Sequence, residues 1–72
     1  MTMKNGICEY PGGYKECFLN GKLHHEGGPA IDYPDGTKYW FLNGKMYLKE
    51  AYYKELYKRG IIDAKQLVLE LL

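Results

Sequence analysis

Apolar and polar positions along this chain change their period once, at Tyr47. Before it, hydrophobic residues fall in short runs separated by turn residues; after it, they recur at helical spacing. Asn20-Gly21 and Asn43-Gly44 each stand between apolar or aromatic runs. An Asn-Gly pair supplies two residues that tolerate positive φ, which a two-residue type I′ hairpin requires. Lys15–Leu19 is therefore expected to pair with Lys22–His24, and Lys38–Leu42 with Lys45–Tyr47. Pro11-Gly12-Gly13 and Pro34-Asp35-Gly36 form a second class of turn that alternates with the first. Together they predict an antiparallel meander with strands near 7–10, 14–19, 22–25, 29–33, 37–42 and 45–47. Pro29 cannot donate to a ladder, so it belongs at a strand start or an edge.

Beyond Tyr47 the spacing predicts a helix from Lys49 to Arg59, with Leu48, Ala51, Tyr52, Leu56 and Tyr57 near one side. Glu50–Lys54 and Glu55–Arg59 are i,i+4 pairs in the favourable order, and Gly60 suits the C′ position. A second helix is expected from Ala64 to Leu71, capped by Asp63 with Gln66 three residues on. Its expected buried stripe is Leu67, Val68, Leu71 and Leu72, with Ile61 and Ile62 in the core between the helices. A meander of this size leaves an apolar face wet unless something covers it, and the two helices are the obvious cover.

The turns repeat because the sequence does. Residues 7–23 align without a gap on residues 30–46, an offset of 23. Self-similarity at such a period means one supersecondary unit copied and stacked. The chain of 72 residues thus reads as a single α+β domain, 1–72. Repeat 1 spans 7–29, repeat 2 spans 30–47, and the helical segment spans 48–72.

Composition narrows the function more than the fold. A charged fraction of 26% with 46% hydrophobic residues describes a folded chain, and a net charge of +1 lacks the concentrated basic surface that nucleic acid demands. Eight tyrosines, two phenylalanines and one tryptophan are many for this length. No run approaches a membrane span, and Met1-Thr2-Met3-Lys4 is not followed by a signal-like apolar segment. The expectation is a cytoplasmic protein. Cys8 and Cys17 align with Ile31 and Trp40, positions that can be apolar, so buried thiols are expected rather than a disulfide.

The unit around residues 18–31 resembles a repeat of small bacteriophage and large-virus proteins, which runs Trp-Tyr-x-Asn-Gly-Lys-x-His-Arg-x-Asp-Gly-Pro-Ala and then an apolar strand and Asp-Gly, the match covering about residues 14–47. Phe18, Asn20, Gly21, Lys22, His24, Gly28, Pro29, Ala30, Asp35, Gly36 and Trp40 match it. His25 stands where arginine is usual and Gly27 where aspartate is usual. The unit is also distantly similar to MORN-type hairpin repeats. The resemblance implies a phage accessory protein, acting in the host cytoplasm, that binds and modulates or inhibits a host protein.

Side chains that could carry chemistry are few. Cys8, Cys17, His24 and His25 are a nominal metal set, but their spacing is not that of a zinc motif, and adjacent strand residues point to opposite faces. Cys17 and His24 could be neighbours across one hairpin, yet no carboxylate is singled out to orient a dyad. No enzyme, cofactor or metal site is therefore expected. His24 is expected to bond across the Gly28-Pro29 joint. The expected partner surface comprises Lys38, Tyr39, Trp40, Lys45, Tyr47, Tyr53 and Tyr57, because exposed tyrosine is typical of interfaces. The leading expectation is a non-enzymatic interaction protein. One alternative is a small-ligand binder holding an anionic metabolite or nucleotide among Lys38, Tyr39, Trp40 and Lys45. Another is a single-stranded nucleic-acid binder on a face where Lys15, Lys22, Lys38 and Lys45, which recur with the repeats, interleave with Tyr14, Tyr39 and Tyr47. A homodimer is compatible with all three.

Overall fold

The computed structural model describes residues 7–72. The strands are β1 (Ile7–Glu9), β2 (Lys15–Leu19), β3 (Lys22–Leu23), β4 (Ile31–Asp32), β5 (Lys38–Leu42) and β6 (Lys45–Tyr47). Helices α1 (Lys49–Lys58) and α2 (Ala64–Leu71) follow. The sheet is antiparallel in the order β1-β2-β4-β5-β6, and β3 pairs with the end of β2 that β4 leaves free. This is the α+β meander with two C-terminal helices that the turn signals predict. Both Asn-Gly pairs make two-residue turns with positive φ throughout: 53° and 78° at Asn20 and Gly21, 52° and 81° at Asn43 and Gly44.

The two Asn-Gly hairpins repeat in register, since Phe18 faces Leu23 and its counterpart Phe41 faces Met46. The two Pro-x-Gly hairpins do not. Cys8 faces Cys17, but Ile31 faces Tyr39 instead of Trp40. Five residues, 33–37, connect the paired ends of β4 and β5, against six, 10–15, between β1 and β2. A slip of one residue sends a side chain to the other face of a sheet. Cys8 and Ile31 therefore lie on opposite faces although they are equivalent in sequence.

The core forms where the helices meet the second repeat. Leu42, Tyr52, Tyr53, Leu56 and Ile62 are buried together, with Trp40, Tyr47 and Leu67 packed against them. Helix α1 is turned relative to the stripe expected from its spacing: Tyr52, Tyr53 and Leu56 are inside, while Leu48, Ala51 and Tyr57 are exposed. Neighbouring aromatic rings decided the rotation. Tyr52 and Tyr53 pack edge to face at 4.8 Å, and Tyr52 reaches Trp40 at 6.4 Å. Helix α2 has the expected Asp63 cap, which accepts the Gln66 N–H at 2.8 Å, but it buries no residue. Leu67 is half-buried, whereas Val68, Leu71 and Leu72 are exposed, and of the two linker isoleucines Ile62 is buried and Ile61 is not. No helix among the described residues is long and apolar enough to cross a membrane.

The end of α1 is a Schellman motif. The Ile61 N–H donates to Leu56 O at 2.9 Å and the Gly60 N–H to Tyr57 O at 3.0 Å. Gly60 has φ +76°, and a Cβ built there meets open space. Gly60→Ala is therefore expected to cost about 1 kcal/mol from backbone strain alone. A urea titration showing an unchanged midpoint would contradict this.

Candidate functional site

Strand alternation sorts the sequence-expected partner residues onto two faces. The pairs Trp40–Tyr47 and Leu42–Lys45 share the face that α1 covers, and Lys38 lies on that face two residues before Trp40. Tyr39 and Phe41 point the other way, with Ile31 and Met46 opposite them. Lys38 is held by Asp32 at 3.0 Å, and the Lys45 ammonium lies 5.2 Å from the centre of the Tyr47 ring. Trp40 is half-buried, and its indole N–H has no hydrogen-bond partner among the described residues. Tyr53 is in the core, where burial raises its phenol above the ordinary tyrosine range, and Tyr57 is 48% exposed on α1. The seven residues do not form one surface.

The face away from the helices carries a different group, which sequence reasoning did not assemble. Tyr14 lies against Tyr33 with ring centres 5.2 Å apart, and Tyr33 meets Tyr39 edge-on at 6.1 Å. Tyr33 and Tyr39 are 38% and 39% exposed, and Met46 on the same face is 55% exposed. Tyr14 donates its hydroxyl to Glu16 at 2.6 Å, and that bond to the carboxylate holds the Tyr14 phenol above its ordinary range. Tyr33 is placed by the Pro34-Asp35-Gly36 turn. Its N–H donates to Thr37 O at 2.8 Å, and its carbonyl accepts from Gly36 at 3.0 Å. The Thr37 N–H donates to the Asp35 carboxylate at 2.9 Å, which lowers that acid.

Among the described residues no repeat lysine joins this row. The pairings Lys15–Asp32, Asp32–Lys38, Leu19–Lys22 and Leu42–Lys45 put all four repeat lysines on the helix side of the sheet. The pleat thus separates Tyr14, Tyr33 and Tyr39 from the lysines, and of the sheet tyrosines Tyr47 alone among the described residues shares the lysine face. The signal was present in the sequence as the alternating Lys38-Tyr39 and Lys45-Met46 positions, but it needed the register to be read.

The nominal metal set is also rearranged. His24 does not bond across the joint: its Nδ1 accepts the Asn43 N–H at 2.9 Å, and its Nε2 stands 3.2 Å from Glu26 Oε2. His25 makes the joint contact instead, through Nδ1 to Pro29 O at 3.2 Å. Cys8 and Cys17 form a disulfide, where the sequence led to an expectation of buried thiols. The Cys17 N–H and carbonyl are both engaged by the opposite neighbours, with Ala30 O at 2.8 Å and the His24 N–H at 2.9 Å. Cys8 and Cys17 are then a non-hydrogen-bonded antiparallel pair, the kind that brings side chains closest, and their Cα atoms are 3.9 Å apart. Alignment with Ile31 and Trp40 concealed this, because those two residues do not face each other.

No protein-family model, no curated protein and no solved structure matches the chain.

Proposed function

We propose that this chain is a non-enzymatic interaction module whose tyrosine face docks on a cationic surface of a partner protein. The observation that carries the reading is the row Tyr14–Tyr33–Tyr39 beside Glu16 on a sheet face free of the repeat lysines. Tyrosine brings large contact area at little rotamer cost, and its ring and hydroxyl accept arginine and lysine well. A second copy of the same face suits it poorly, because a two-fold contact would bring the Glu16 carboxylate towards its own copy. Single-stranded nucleic acid suits it less, since stacking rings without adjacent cations leave phosphates uncompensated. The repeat resemblance supports the same direction: a phage accessory protein that binds and modulates a host protein.

The test uses the whole chain as bait in a bacterial lysate. The expected result is a partner recovered in stoichiometric amount by the wild type and by Val68→Lys. Tyr33→Lys/Tyr39→Lys is expected to weaken its capture at least about 100-fold, the loss of two anchoring contacts of roughly 1.4 kcal/mol or more each. Capture that ignores the tyrosine substitutions would contradict the reading. So would tight binding of an oligonucleotide or a nucleotide in place of a protein.

A further inference from the structure

Three ligand-type side chains converge beside the β1–β2 pair. The sulfurs of Cys8 and Cys17 and a ring nitrogen of His25 all lie within 4.8 Å of one another. Together with Glu26 they line a cavity of about 280 Å³. Cys17 is buried, and Cys8 and His25 are half-buried.

The two adjacent histidines are committed differently. His24 spends both ring nitrogens, one accepting from Asn43 and the other facing Glu26. His25 spends one. Pro29 O can only accept, so Nδ1 carries the proton and Nε2 keeps its lone pair, which meets no donor among the described residues. An imidazole whose far N–H is fixed on a backbone carbonyl is oriented as metal-ligating histidines are. The chain also leaves room beside that lone pair: a Cβ at Gly27 would stand 3.3 Å from His25 Nε2.

We propose that, when the Cys8–Cys17 bond is reduced, this chain binds one zinc-class cation through Cys8 Sγ, Cys17 Sγ and His25 Nε2. A fourth position faces the cavity and takes water. Reduction needs two electrons from a thiol or phosphine reductant and two protons from solvent. It opens the S–S bond to two thiols. Metal binding then releases both thiol protons, and the two thiolates balance the dication beside a neutral imidazole. Thiolates bound at roughly 2.3 Å to one tetrahedral ion stand about 3.8 Å apart, so the two sulfurs separate once their bond opens and remain within the 4.8 Å that spans the three groups. Soft sulfur with one imidazole favours zinc over the hard cations. The ion would do in a reducing setting what the disulfide does in an oxidising one, tying β1 to the sheet of a domain too small to hold it otherwise.

The test is a Co²⁺ titration of the full chain with a phosphine reductant present, followed by Zn²⁺ competition and thermal melting. The reduced wild type is expected to bind one Co²⁺ with a thiolate-to-metal charge-transfer band, to yield it to Zn²⁺, and to melt higher with Zn²⁺ than with chelator. The oxidised wild type is expected to show none of these, a comparison that needs no variant. His25→Ala is expected to weaken the metal at least about tenfold, while His24→Gln keeps the band. Far-UV circular dichroism identifies the folded variants. A reduced wild type without the charge-transfer band would overturn the proposal, as would folded His25→Ala with wild-type affinity.

Discussion

Tyr52→Ala is expected to lower the stability of the domain by about 3–5 kcal/mol, read as a large fall in the urea midpoint. The side chain has no exposed surface and sits at the centre of the only buried cluster among the described residues. Truncating a buried aromatic costs about 3–5 kcal/mol, against the roughly 4–11 kcal/mol that holds a domain of 72 residues. Two effects combine in that loss, and Tyr52→Phe separates them. The ring packs between Tyr53 and Trp40, and the hydroxyl donates to the carbonyls of His25 and Gly28, the latter at 3.0 Å. Those carbonyls belong to the joint between the repeats, so the phenol hydroxyl fastens the helical segment to a loop that has no ladder of its own. Tyr52→Phe leaves buried acceptors without a donor and is expected to cost about 1–3 kcal/mol. A denaturant midpoint equal to wild type for Tyr52→Phe would show that the joint is held by something else.

The same residue makes the domain sensitive to base. Burial pushes the Tyr52 phenol up to about 12 from its ordinary value of 10. The folded chain therefore holds a proton that the unfolded chain releases between about pH 10 and pH 12. Stability from this group is present in full below pH 10 and falls as pH rises through 12. Two units correspond to on the order of 2–3 kcal/mol in all, of which about 1.4 kcal/mol is lost between pH 8 and pH 11; that loss is expected to vanish in Tyr52→Phe when both proteins are titrated with urea at those two pH values.

Reduction of the Cys8–Cys17 bond in the presence of chelator is expected to cost roughly 2–3 kcal/mol, the loop-closure contribution of a bridge between residues nine apart. The effect should be local before it is global. Among the described residues β1 is an edge strand laddered to β2, and β2 and β4 stand between it and the strands β5 and β6 that make the core with α1. Amides of residues 7–9 should exchange faster in the reduced protein while those of Tyr52 and Leu56 hold. A urea midpoint that does not move on reduction would contradict the estimate. Cys8→Ser/Cys17→Ser should match the reduced protein in chelator and should not respond to zinc, which separates the covalent from the metal-borne staple.

Legibility in the sequence followed the range of the interaction. The Asn-Gly turns, the Asp63 cap, the Gly60 stop and the Glu50–Lys54 and Glu55–Arg59 pairs at 2.9 and 2.7 Å all act within five residues, and each was readable. The burial stripes of the helices were less so. Spacing alone put Leu48 and Tyr57 inside, but the partner surface of β5 and β6 selected Tyr52, Tyr53 and Leu56. The partner surface proposed from the sequence mixed Tyr39 with Lys38 and Trp40, which the pleat of β5 separates. The Cys8, Cys17 and His25 cluster was passed over because its members sit 9 and 8 residues apart along the chain, and no local spacing rule describes a site closed by a hairpin and a folded-back joint.

Composition and turn chemistry by themselves determined a repeated antiparallel meander followed by two helices, because those choices depend on φ preferences and periodicity that each short segment carries with it. Tertiary structure alone decided which face of the sheet α1 covers, which histidine keeps a free nitrogen, and that Cys8 meets Cys17 while Ile31 misses Trp40. The physical reason is register. One residue fewer in the second Pro-x-Gly connection reverses the side on which a strand's side chains emerge, and that choice is settled by packing across the whole sheet.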